Sequence, residues 1–201
     1  MSAQNIRTQR VDNRLRTGGS AAVAVAILEL LVGIDFLLGG LSKAFDRKYI
    51  ASFTSFVNLS PGTHDGPIAS LVQALVVPHP RVAGLGIEVT EIAIGVILLV
   101  AAEEAVRRRI SGRFGAPQAY ESAVAFLGGL AGLGVVAVQA GIYLLGGGGL
   151  PGIDPANAFA SPIAVNLLLL FLGLVIAVFE FGRFGTLQRA AAARRPVAPR
   201  S

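Results

Sequence analysis

Glu88 and Glu91 stand one helical turn apart in the apolar run RVAGLGIEVTEIAIGVILLVAA, residues 81–102. Two carboxyls so placed could take protons from a bound molecule and return them, which is general acid–base chemistry and makes them the candidate catalytic pair. A charge at mid-bilayer costs roughly 2.5–3.5 kcal/mol, so acids inside an apolar run must be neutral, be paired, or face a wet interior. Other apolar stretches carry Glu29, Asp35, Gln139, Asn166 and Glu180, and Lys43 and Arg81 lie at or just beyond helix ends.

Depth groups several of these residues. Counted from the expected outer ends of their helices, Asp35 lies six residues below Leu41, Glu88 six below Val82, Gln139 six below Leu145 and Asn166 four below Pro162. At 1.5 Å per residue each falls roughly 6–9 Å beneath the interface, one polar group per helix. Asp35, Lys43, Gln139, Asn166 and Glu29 are therefore the candidate lining of a substrate pocket around Glu88 and Glu91. Gly84, Glu88, Glu91 and Gly95 share one stripe by i, i+4, i+7, i+11 spacing, and that stripe should face protein, because small residues admit a second helix and acids avoid lipid. The pairs Glu29–Gly33 (ELLVG) and Glu91–Gly95 (EIAIG) repeat one spacing in two helices. Plainer roles compete: Gln139 and Asn166 as interhelical hydrogen-bonding groups, Glu180 as a snorkelling or Arg183-paired acid, and Gly128 and Gly132 as a packing face.

The elements that must position these groups follow from composition. Of 201 residues, 53% are hydrophobic and 14% charged, far from the roughly 25% charge of soluble domains, which places the chain in a bilayer. Four runs are long enough to span: about 21–41, 82–102, 122–145 and 162–182. The expected fold is all-α, a polytopic four-helix membrane bundle comprising residues 21–182, flanked by basic tails at 1–20 and 183–201 that should be mobile. In the first outer loop PIASLVQALVV (67–77) is too short to span and reads as a short interfacial or re-entrant helix. Arg7, Arg10, Arg14 and Arg16 precede the first span, Arg107, Arg108, Arg109 and Arg113 follow the second, and Arg183, Arg189, Arg194, Arg195 and Arg200 follow the fourth. By the positive-inside rule both termini are cytoplasmic. The basic residues cluster at helix ends without interleaved aromatics, which speaks against nucleic acid. There is no Cys, so disulfides, thiolate metal sites and covalent haem are excluded. His64 and His79 have no helical partner for bis-His ligation, so neither haem nor metal is expected.

LELLVGIDFLLGGLSKAF (28–45) resembles the first helix of the DoxX/DoxD-like membrane proteins at Gly33, Phe36, Gly40 and Lys43. TEIAIGVILLV (90–100) resembles their second helix at Glu91 and Gly95, with Thr90 in place of a Gly, and GIDPANAF (152–159) is similar to their later outer turn. Glu29 stands where the family often has Arg, and Asp35 where an apolar residue is usual. The resemblance implies a multi-pass protein of the prokaryotic plasma (inner) membrane, in some members the quinone-facing subunit of a thiosulfate:quinone oxidoreductase. It also implies membrane or redox partner subunits beside the lipid, with room for a homo-oligomer. With no Cys and no ligating His, the residues leave a quinone or a partner's cofactor to carry electrons, the acids then accepting protons from a quinol and Lys43 holding the quinone oxygen or a small anion. The competing expectation is a non-enzymatic accessory or scaffold subunit of a larger membrane complex; a small ion or proton transporter is a third, disfavoured by the lack of a broken helix.

Overall fold

A computed structural model describes residues 3–111, 118–148 and 163–193, and the side chains of 20–107, 120–148 and 163–193. In chain order the helices are α1 (Ala3–Phe45), α2 (Tyr49–Leu59), α3 (Pro61–His64), α4 (Ala69–Leu71), a π-helical turn (Val72–Val76), α5 (Pro80–Ser111), α6 (Gln118–Leu145) and α7 (Val165–Ala193). There is no strand among the described residues. The parts of α1, α5, α6 and α7 long and apolar enough to cross a membrane are Ser20–Phe45, Pro80–Arg107, Tyr120–Leu145 and Val165–Ala193. The protein is a multi-pass, all-α four-helix membrane bundle. Its outer surface is apolar, with Leu31, Leu38, Val82, Val89 and Val178 all exposed toward the lipid.

Each helix outlasts its expected span. α1 already starts at Ala3 and α7 runs to Ala193, so the segments expected to be mobile tails are helical over 3–20 and 183–193. TLQRAAAA, from Thr186, explains the second extension: Leu, Gln, Arg and Ala are strong helix formers, and nothing there breaks the backbone ladder. The bilayer limits how far the apolar run extends; it does not limit the helix.

Glycines decide how the helices pair. α1 lies against α5 and α6 against α7, with α5 joined to α6 and a slimmer seam between α1 and α7. Gly33 packs on the Gly95 carbonyl and on Leu98, and Gly40 packs on the backbone of Glu88 and Ile92, so α1 and α5 touch main chain to main chain. On the other pair a Cβ at Gly132 would come within 2.7 Å of the Ala177 nitrogen. Such contacts replace a hydrophobic driving force that lipid does not provide. Val32, Phe36, Ile94, Leu98, Val135 and Ile176 fill the centre.

The first connection folds as a cap. α2 is amphipathic: Tyr49, Phe53 and Val57 recur at helical spacing, and Phe53 and Val57 are buried with Val72 against Ile87 and Leu145. Thr63 Oγ1 donates to the Val57 carbonyl at 2.6 Å and Gln73 Nε2 to the Thr63 carbonyl at 2.9 Å, fastening α3 and the π-helical turn to α2. The expected short helix is therefore present, as α4 and the turn after it, with α2 and α3 preceding it. α6 stops at Gly147 and Gly148, whose positive φ of 98° and 59° lets the Gly148 N–H return to the Tyr143 carbonyl at 3.0 Å. The GIDPANAF turn lies outside the described residues.

Candidate functional site

Lys43 sits in the last turn of α1, where the close approach at Gly40 brings it beside α5. Its Nζ donates to Glu91 Oε2 at 2.5 Å and to the Gly39 carbonyl at 3.3 Å. The side chains are 29% and 7% exposed, so the pair is half sheltered, with the lysine on the open side. Beside it lies a cavity of about 570 Å³, a size suited to a small organic ligand. Tyr49, Phe53 and Phe56 of α2 form one wall, Val138 and Ile142 of α6 another, and Lys43 and Glu91 are the charged residues on its lining. Tyr49 Oη donates to the Gly84 carbonyl at 3.2 Å. Burial first, then the charges of Glu91 and Glu88, push the Tyr49 phenol up to about 12, so it keeps its proton at neutral pH.

The stripe on α5 faces protein as expected: Gly84 meets α2, Gly95 meets α1 and Glu91 is buried. Of the candidate site residues, the cavity joins Lys43 and Glu91. Glu88 is half-buried one turn away and shares the neighbourhood of Tyr49 without lining the cavity. Gln139 is buried with its Oε1 unpartnered, and Asn166 is half-buried in the first turn of α7. Asp35 is exposed on the outer wall of α1. The common depth also shifts: Gly40 is level with Glu88 to Ile92, whereas Gly33 is level with Gly95 to Leu99, so Asp35 lies more than a turn deeper than Glu88. α1 extends to Phe45 rather than ending at Leu41, which displaces every depth counted from that end.

Glu29 lies at the opposite end of the bundle, in a second polar cluster. Arg183 of α7 donates to Glu180 at 3.0 and 3.1 Å, and to Glu104 of α5 at 2.6 Å. Arg107 approaches Glu104 at 3.7 Å. Glu29, Glu104 and Glu180 are all within 1% of complete burial. Gly128 makes room for this: a Cβ there would lie 3.1 Å from Glu180 Cγ. The pairing of Glu180 with Arg183 was visible from i, i+3 spacing, but Glu104 was missed because it falls just beyond the apolar run and looks like a boundary charge. α2 was missed too, although Tyr49, Phe53 and Val57 at i, i+4, i+8 carried its signal.

His64 Nε2 lies 2.9 Å from the Asn58 carbonyl, and His79 is exposed just before α5. Among the described residues no group of three or more His, Asp or Glu converges as metal ligands. Comparison with known proteins finds no matching family model, no matching curated protein and no matching solved structure.

Proposed function

We propose that the protein is a DoxX/DoxD-like membrane component of a quinone-linked oxidoreductase, and that the cavity beside Lys43 and Glu91 receives the quinone head. The observation that carries this is one ion pair on the lining of a mostly apolar and aromatic cavity of about 570 Å³. The residues fit such a group: aromatic rings to stack on its plane, an ammonium to meet a carbonyl oxygen, and a carboxylate to take a proton. A quinone supplies two-electron, two-proton chemistry when bound, and the chain, with no Cys, relies on a partner subunit for the electrons. Lys43 holds the ligand oxygen by its N–H donors, Glu91 exchanges the proton at that oxygen, and Glu88 relays it along α5. Tyr49, held by the Gly84 carbonyl, keeps the aromatic wall in place. In this arrangement both termini are cytoplasmic and the cavity faces the opposite leaflet, in a prokaryotic plasma membrane.

The test is quinone content and stabilisation. Protein extracted with its native lipids should retain quinone, added quinone should raise its melting temperature, and Lys43→Ala should remove most of that rise. Protein without quinone and without a shift would count against the proposal. The absence of native Cys makes single-cysteine labelling from either side a clean check of the topology.

A scaffold role is the second reading, supported by the glycine-mediated crossings and the buried Arg183 cluster. Under it, Glu88→Gln with Glu91→Gln weakens assembly with membrane partners; under the first, the complex survives and turnover is lost.

A further inference from the structure

We propose that Glu29 is an intramembrane proton-binding site, its carboxyl carrying a proton that it donates to Glu180 at the end of the bundle away from the cavity. Three observations lead there, none of which depends on the quinone reading. The first is hydrogen bonding: Glu29 is 1% exposed and, among the described residues, no donor reaches either of its oxygens. The carboxyl it faces within hydrogen-bonding reach is that of Glu180, so acceptor meets acceptor unless one of them holds a proton.

The second is charge. Among the described residues the groups around Glu29 are Glu180 and Arg183 from α7 and Glu104 from α5, with Arg107 behind Glu104 and, from α6, the uncharged Gly128 against Glu180. Arg183 gives its hydrogen bonds to Glu180 and Glu104 and none to Glu29. Among the described residues two arginines face three carboxyls, and those arginines are engaged with Glu104 and Glu180, so a charge on Glu29 would lie buried with no ion pair of its own. A proton on Glu29 removes that excess and supplies the missing donor in one step.

The third is the choice of ligand. An alkali cation needs several oxygens turned toward one point, yet the oxygens of Glu104 and Glu180 are already engaged by Arg183. Glu180 itself fills the space that the missing Cβ of Gly128 opens on α6, which leaves little room for an ion with its remaining shell. The proton alone fits. Glu29 thereby gives the slim α1–α7 seam a bond that exists only while the proton is there.

Infrared spectroscopy of the full chain in lipid nanodiscs tests this. At neutral pH the wild type should show the carbonyl stretch of a buried protonated carboxylic acid that moves on exchange into D2O. That band should vanish in Glu29→Gln, shift in Glu180→Gln, stay in Glu91→Gln, and ignore added sodium or potassium. If the Gln variants fail to fold, Glu29→Asp, which keeps the carboxyl but shortens its reach, should move the band. A wild type without the band, a band unchanged in Glu29→Gln or Glu29→Asp, or a band abolished by sodium would each overturn the proposal.

Discussion

Glu29 and Glu91 have the same relation to a glycine four residues on, yet they end in opposite surroundings. Their helices run antiparallel and cross where Gly33 meets Gly95, so one spacing sends a glutamate toward each end of the bundle. Glu91 finds a lysine that is partly open and a cavity beside it; Glu29 enters a closed cluster that already has its arginine committed. The difference is one of spare volume. A charge pair next to empty space can trade partners with a guest, whereas a cluster packed against Gly128 can only hold helices and protons.

The sharpest way to break this contrast is at Arg183. Arg183→Leu should cost about 3–5 kcal/mol in a reversible unfolding titration, because Glu104 and Glu180 stay buried and lose the guanidinium that bridges them. Gly132→Val comes next, at roughly 1–3 kcal/mol, as its side chain meets the backbone of Gly173 and Ala177; a loss of the α6–α7 seam by crosslinking of introduced cysteines should accompany it. Lys43→Met should cost only about 1–2 kcal/mol, between the values for exposed and buried pairs, since solvent reaches the lysine. If Lys43→Met and Arg183→Leu destabilise equally, the two ends are alike and the contrast fails. Smallest is Tyr49→Phe, at roughly 0.5–1.5 kcal/mol for the lost bond to the Gly84 carbonyl. It also has a pH signature. The folded phenol titrates at about 12 rather than 10.0, so the folded state holds more protons in that window and stability falls as pH rises from 10.0 toward 12. Melting curves across that window should show a fall that flattens in Tyr49→Phe.

Much of this frame was legible in the chain itself, and the exceptions share a cause. The four helices follow from apolar run length, and the inward face of Glu91 from the glycines that border it on α5. What the sequence hid was level: the offset between neighbouring helices is decided where glycines touch, at Gly33, Gly40 and Gly132, and no count from a helix end contains that offset. Asp35 was thus assigned a depth it does not share with Glu88. Glu104 looked like a surface charge because α5 outlasts its apolar segment by more than a turn. α2 was overlooked because polar residues interrupt its sequence, although an interfacial helix needs only one apolar stripe.

Phe56 lines the cavity and is itself 45% exposed, which ties that space to the surroundings of the bundle. An apolar guest reaching such a wall is counted per lipid rather than per litre. Occupancy then follows the guest's mole fraction in the bilayer: adding empty vesicles at fixed total guest should empty the cavity, and detergent should do the same by dilution.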